Sequence, residues 1–355
     1  MPSVVLITGV SRYLGAALAA RLSADPDVDR LIGIDAVAPR DPGALGRTEF
    51  VRADIRNPLI AKVVRQARVE TVVHTGALAP VRASRVALQD HHVTGTMQLL
   101  AACQTSETVG RVVVASTTAV YGSSPADPAQ FTEQSPPAPR PEARFARDAV
   151  EIENYTRGFA RRRPDVPVIV LRFAPVVGPG LDTALTRYLR LPVLPTPLGF
   201  DPRLQVLHET DAVDVLRLAS RTDRPGVFNV APDDVVPLSQ ALRWAGRPRV
   251  PIWAPTLEFA GTFVRNTGLA DASLEDLDFL SWGRVVDTTR LRTDLGFRPR
   301  FSTAEALLAQ LRTQPAVTRI GASAVGVVQR YLTRRSQLSA RAGAPMALSG
   351  VGEWS

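Results

Sequence analysis

The stretch VVLITGVSRYLG, residues 4–15, runs from a short apolar segment through a glycine-bearing turn straight into a helical pattern. A strand that enters a helix through so tight a turn reaches its sheet neighbour by a crossover and lies parallel to it. The N-terminal half repeats this arrangement. VVLIT (4–8), LIGID (31–35), TEFVRAD (48–54), ETVVHTG (70–76), RVVVAST (111–117) and VPVIVLRF (166–173) read as six strands. Helical patterns between them include Leu14 to Ala24, VTGTMQLLAAC, and the segment holding RFARDAVEIE, residues 144–153. Near-continuous apolar runs of this length are buried on both faces, so the expected fold class is α/β, a doubly wound parallel sheet.

From about Pro175 the texture changes to proline-rich loops such as LRLPVLPTPLGFDPR, with helices near 210–221 and 237–246. The expected organisation is a nucleotide-binding domain over 1–174 and a smaller C-terminal substrate domain over 175–312, interleaved with the first. Residues 313–355 form a tail. In it, Ile320, Ala324, Val327 or Val328, and Tyr331 share one helical face, with Arg330, Arg334 and Arg335 elsewhere. A basic amphipathic helix of this kind packs on its own domain, docks on a protein partner or lies on a membrane surface.

Composition narrows the class further. With 355 residues, 45% hydrophobic and 21% charged, the chain buries a large core, and neither a signal peptide nor an 18-residue apolar run is present. A soluble, cytoplasmic protein is expected. The single cysteine, Cys103, lies in an apolar helical stretch, and the histidines show no ligand spacing, so no metal is expected. The net charge of +8 would suit nucleic acid, yet Lys62 is the only lysine among 42 basic residues and the arginines are scattered without a stripe. No nucleic-acid partner is expected.

The turn TGVSRYLG carries Gly9, then Arg12 where a further glycine is usual, then Gly15. Glycines at a strand-to-helix turn let the backbone approach a pyrophosphate, which the helix N-terminus then attracts, so Tyr13, Leu14 and Gly15 would supply first-turn amides. An arginine at position 12 must turn away from the phosphates or bind one. Asp35, ending the second strand, suits a grip on ribose hydroxyls and repels a 2′-phosphate, which favours NAD over NADP.

These motifs, in this order, resemble the extended short-chain dehydrogenase/reductases, the NAD-dependent epimerase/dehydratase group that acts on nucleotide sugars. The resemblance runs from about Val4 to Leu311 and implies a Rossmann fold. By the same resemblance, Asp54 and Ile55 in VRADIRNP would cradle the adenine. Thr75, Gly76 and Ala77 in VVHTGALA would line the cofactor, and Pro175 in LRFAPVVGPG would pass the nicotinamide. His92 in HHVTGTMQLL stands where the group usually has asparagine and is assigned to substrate. ASTTAVYG places the group's catalytic serine or threonine at Thr117. Arg203, just ahead of LQVLH, is near the place where relatives hold a sugar-nucleotide diphosphate, displaced by one position.

The resemblance also implies a tyrosine four residues ahead of a lysine on the helix after the fifth strand. Residues four apart share a helix face, and the lysine's charge lowers a phenol pKa that starts near 10. The tyrosine then serves as the base during hydride transfer. Aligning the group's acidic residue with Glu153 puts Phe145 at the tyrosine position and Ala149 at the lysine position. Lys62 lies on another helix, and Tyr155 is carried about 15 Å past Phe145 by helical geometry. Asp148 is then the candidate proton carrier beside Thr117.

Two functional readings follow. One is a nucleotide-sugar epimerase or dehydratase, similar to a UDP-glucose 4-epimerase, with a degenerate acid-base site; enzymatic activity is left open. The other is a non-catalytic dinucleotide-binding sensor or scaffold. The resemblance further implies a homodimer through the helices after strands four and five.

Overall fold

The computed structural model describes residues 3–75, 90–138, 141, 144–191, 193–252 and 279–313. Strands β1 (Ser3–Thr8), β2 (Val28–Asp35), β3 (Glu49–Arg52), β4 (Thr71–His74), β5 (Arg111–Thr117) and β6 (Val168–Phe173) correspond to the six apolar runs. They are followed by the short strands β7 (Val176–Val177), β8 (Leu194–Pro197), β9 (Arg203–Leu204) and β10 (Leu207–His208), then β11 (Gly226–Val230), β12 (Val236–Pro237) and β13 (Arg249–Ile252). One parallel sheet has the order β11-β6-β5-β4-β1-β2-β3.

Its seventh strand is a correction to the six expected. The run GVFNV lies after proline-rich loops and is too short for periodicity to separate it from them. Only its pairing alongside β6 makes it a strand. The third strand is shorter than expected, because Asp54 accepts the backbone N–H of Arg56 in a turn and so leaves the ladder.

The helices are α1 (Tyr13–Ser23), α2 (Leu59–Gln66), α3 (Gly95–Gln104), α4 (Arg144–Arg162), α5 (Ala184–Arg190), α6 (Glu209–Ala219), α7 (Leu238–Ala245), α8 (Phe279–Trp282), α9 (Thr289–Thr293) and α10 (Thr303–Arg312). Along β1 and β5 successive side chains enter opposite cores. Val5, Ile7, Val113 and Ala115 face Leu18, Leu22 and Leu216 of α1 and α6, whereas Leu6, Val112 and Val114 face Leu99, Ile152 and Phe159 of α3 and α4. This alternation with both faces buried is what a parallel sheet between two helical layers requires. A third core, around Tyr188, Leu189, Leu204, Val206, Leu242 and Leu307, holds the C-terminal lobe together. The expected tail helix lies outside the described residues, and no helix among the described residues is long and apolar enough to cross a membrane.

One buried charge pair crosses these layers. Arg172 of β6 donates to both carboxylate oxygens of Glu153 on α4, at 2.9 and 2.6 Å. Burial opposes the charge on Arg172, but the hydrogen bonds and charge of Glu153 outweigh it and hold the guanidinium above its ordinary pKa. Ser116 of β5 donates to the same carboxylate at 2.6 Å, and Arg172 donates to the Tyr121 hydroxyl at 2.7 Å. Tyr121 donates to Asn229 of β11 at 2.7 Å, and the Asn229 backbone N–H donates to Glu133. Removing one member of a buried pair leaves the other charge uncompensated. Glu153→Ala is expected to cost about 3–5 kcal/mol, read as a fall in the urea midpoint, and Glu153→Leu with Arg172→Met to recover most of that loss.

Candidate functional site

The parallel strands end together, and their C-terminal ends open on a pocket lined by Thr8, Gly9, Arg12, Ile34, Asp35, Ala36, Ile55, His74 and His92. Residues from the first, second, third and fourth strand regions thus meet in one place, as ligand sites in open α/β sheets do. Gly9 adopts φ +76, a left-handed conformation open to glycine, and its N–H donates to Ile34 at 2.9 Å. At Gly15 a Cβ would lie 2.3 Å from the Gly9 carbonyl oxygen, so only glycine lets α1 start this close to β1. Arg12 is the N-cap residue of α1 with extended backbone and makes no side-chain cap bond, which leaves the helix start to be met from the pocket side.

The Asp35 carboxylate accepts the backbone N–H groups of Ser11 at 3.1 Å and Val37 at 3.2 Å, which aims it across the turn. Arg12 lines the same pocket. Burial lowers its pKa from the ordinary guanidinium value, and the charge of Asp35 opposes that shift. Ile55 walls the pocket and packs so closely on Gly95 that a Cβ there would sit 2.5 Å from its side chain. Asp54, expected to meet the adenine, places its carboxylate in a bidentate pair with Arg56 at 2.6–3.1 Å. Thr75 donates from its hydroxyl to the Thr8 carbonyl at 2.7 Å, tying the ends of β1 and β4. Gly76 and Ala77 lie outside the described residues.

Tyr13 and Leu14 occupy the first turn of α1; the Leu14 side chain goes into the core and the Tyr13 ring stays partly exposed. Pro175 follows β6, and its carbonyl accepts the Leu207 N–H at 3.0 Å. His92 joins the Asp35 pocket, and its carbonyl accepts the Thr96 hydroxyl at 2.6 Å. Arg203 is exposed on β9, donates to the Ala129 carbonyl at 2.6 Å, and is not among the residues lining the Asp35 pocket.

Thr117, the last residue of β5, is buried, and its hydroxyl accepts the Ala119 N–H at 3.2 Å to cap the short helical turn that follows. In the first turns of α4 Phe145 is exposed and Asp148 is buried. Ala149 is buried in an apolar cluster with Val120, Tyr121, Phe131, Ala174 and Val286. Tyr121 is the tyrosine hydroxyl in that cluster. Burial raises its pKa, with Arg172 acting in the opposite direction, and both its hydrogen bonds are taken within the protein. It is a structural group.

His74, like Thr8, Ile34 and Ala36, lines the pocket although no sequence motif assigns it there. Fully buried at the end of β4, it bridges the Thr8 hydroxyl at 2.6 Å and the Thr96 hydroxyl at 2.9 Å, and so joins the strand ends to α3. The one signal for it is a polar residue ending an otherwise apolar strand.

The sequence model of the NAD dependent epimerase/dehydratase family matches residues 5–231. An uncharacterized protein of Mycobacterium tuberculosis is 44% identical over 346 residues, covering 94% of this chain and 92% of that protein. Among solved structures, MoeE5 in complex with UDP-glucuronic acid and NAD is similar with a TM-score of 0.67 at 22% identity, covering 88% of this chain and 98% of that one. A UDP-glucuronic acid 4-epimerase from Bacillus cereus, in complex with UDP-glucuronic acid and NAD, gives 0.67 at 18% identity over 87% and 98%. A dTDP-glucose 4,6-dehydratase from Bacillus anthracis in complex with NAD gives 0.66 at 17% identity over 88% and 96%. At these identities the structural likeness establishes the shared fold.

Gly15→Ala forces its new methyl against backbone, which cannot rotate aside, so a loss of about 1–3 kcal/mol is expected from overpacking. Urea unfolding of the variant against the parent protein measures it.

Proposed function

The chain belongs to the NAD dependent epimerase/dehydratase family, and on that premise we propose that it binds NAD and a nucleotide sugar at the C-terminal ends of its strands with a degenerate acid-base site. The observation that carries the reading is the pocket in which Gly9, Arg12, Asp35 and Ile55 converge beside the uncapped start of α1. Its donor set fits a dinucleotide. First-turn amides and the Arg12 cation suit phosphate, the Asp35 carboxylate suits ribose hydroxyls, and Ile34 and Ile55 offer an apolar wall to a base. An acidic residue in this place favours NAD over NADP. NAD, when bound, supplies a hydride acceptor and donor.

The proton side of such a reaction is where this chain departs. No tyrosine stands four residues ahead of a lysine anywhere in the sequence. Glu153, held by Arg172 and Ser116, supports the register that assigns Phe145 to the tyrosine place and Ala149 to the lysine place. A phenyl ring holds no exchangeable proton, and Ala149 lies in an apolar cluster. Thr117 offers a hydroxyl to orient a substrate oxygen, and Asp148, buried three residues after Phe145, is the candidate proton carrier. Arg147 is a poor base because its guanidinium stays charged. Loss of a positioned acid-base group costs about 10²- to 10⁴-fold in rate, so residual turnover is slow.

His92 and Arg203 complete the reading as substrate contacts, and a homodimer through α3 and α4 is supported by the exposed Met97 and Tyr155 on those helices. The same missing groups favour a second reading, in which the protein binds the dinucleotide as a sensor or scaffold without turnover.

Mass spectrometry of small molecules released on denaturing the freshly purified protein tests the binding reading, with NAD expected and an empty protein that also fails to take up added NAD counting against it. Installing Phe145→Tyr with Ala149→Lys is expected to raise turnover of a UDP- or dTDP-sugar by about 10²-fold or more. Phe145→Tyr alone, which avoids placing a charge in the apolar cluster, is expected to give a smaller gain. An unchanged rate in both variants, with NAD bound, favours the sensor reading.

A further inference from the structure

His208 ends β10 and is the N-cap residue of α6, and it has no part in the reading above. Its backbone is extended, and its side chain turns back over the helix start, where Nδ1 accepts the Thr210 N–H at 3.2 Å. The Thr210 hydroxyl hydrogen-bonds the same nitrogen. A backbone amide can only donate, so Nδ1 carries no proton and the imidazole is neutral, with its hydrogen on Nε2. The ring is buried and stacks on Phe301, with centroids 4.0 Å apart. Helix caps are usually aspartate, asparagine, serine or threonine, whose oxygens remain acceptors near neutrality. A histidine acceptor is lost when the ring takes a proton.

The cap lies at a joint. β10 pairs with β7, which follows β6 in the chain. Val176 and Leu207 of this pair belong to the core shared with α1 and α6, whereas Val177 belongs to the core of the C-terminal lobe. Phe301, stacked on the ring, leads into α10 of that lobe. Burial works against a charge on His208, Asp211 of α6 favours one, and Arg300 opposes it; together they hold the imidazole below its ordinary pKa. Asp211 is itself engaged, accepting the Phe301 N–H at 3.0 Å and pairing with Arg300 at 3.6 Å. Glu209 turns its carboxylate to the Gly180 N–H at 3.0 Å, Glu305 of α10 accepts the Ser302 N–H at 2.8 Å, and β7 brings only valines. The start of α6 disfavours a cation as well.

We propose that His208 is an acid-sensitive clasp: protonation of Nδ1 turns the acceptor into a donor, breaks the cap on α6 and loosens the β7 and β10 corner between sheet and lobe. In the closed corner the imidazole takes a proton less readily than the solvated ring of an opened corner, whose pKa is near 6.5. The clasp is therefore whole above that value. As pH falls below it, the opened form binds the proton first and gains population.

Hydrogen exchange of the full chain, followed by mass spectrometry at about pH 7.5 and about pH 5 and corrected for the intrinsic pH dependence of exchange, reads the clasp in peptides covering 207–213. Losing a side-chain cap is expected to speed exchange there by about 2- to 30-fold at the lower pH. Peptides from α7, which carries no histidine, are expected to change less. His208→Asn keeps an acceptor that does not titrate, so its exchange over 207–213 is expected to stay level between the two conditions. A parent protein with unchanged exchange over 207–213 at the lower pH, or a His208→Asn variant that speeds as much as the parent, overturns the clasp. Should that variant fail to fold, the imidazole nitrogen resonances of the parent decide. His208 is expected to carry its proton on Nε2 at neutral pH and to protonate below its ordinary value of about 6.5, and protonation at or above that value overturns the proposal.

Discussion

The bidentate contact between Arg172 and Glu153 is the interaction around which the remaining geometry is arranged. It joins strand β6, second from one edge of the sheet, to helix α4, and through Ser116 and Tyr121 it reaches β5 and β11. An apolar helix face can slide or rotate over a sheet at small cost, but a carboxylate aligned on a guanidinium fork cannot. With Glu153 fixed, helical geometry places Ala149 one turn back against Tyr121 and Phe145 two turns back at the helix start. The pair costs desolvation of two ions, which further hydrogen bonds help to offset: Nη1 of Arg172 donates to Tyr121, and the hydroxyl of Ser116 donates to Glu153.

The pocket at the strand ends rests on a different constraint, the closeness of backbone to backbone. Gly15 must lie against the Gly9 carbonyl for α1 to begin where β1 stops, and Gly9 must take a positive φ to make the turn. That closeness points the start of α1 into a space whose other walls come from β2, β4 and the turn after β3. Arg12 brings a full positive charge to a place where glycine would bring only space, and Asp35 faces it across the same pocket. The charges of Arg12 and Asp35 are therefore electrostatically coupled in this chain.

The polar groups packed around Ala149 are already used within the buried network. Tyr121 has its hydroxyl committed to Arg172 and Asn229, so the one phenol packed around Ala149 is a structural strut. Arg172 and Glu153 neutralise one another.

Local pattern was enough for six strands, the order of the motifs, the glycine turn and Asp35, because apolar runs and turn glycines act over a few residues and leave their mark in consecutive positions. It was also enough to show that Lys62 stands alone and that no tyrosine precedes a lysine by four. The seventh strand was not legible, since GVFNV becomes a strand only by lying beside β6. Nor was the role of His74, which depends on Thr8 and Thr96 arriving on either side of its ring, or the pairing of Asp54 with Arg56. Sequence alone determined which groups this protein possesses and lacks; tertiary structure decided which of them meet, because burial and hydrogen-bond partnership are properties of packed neighbours and not of neighbours along the chain.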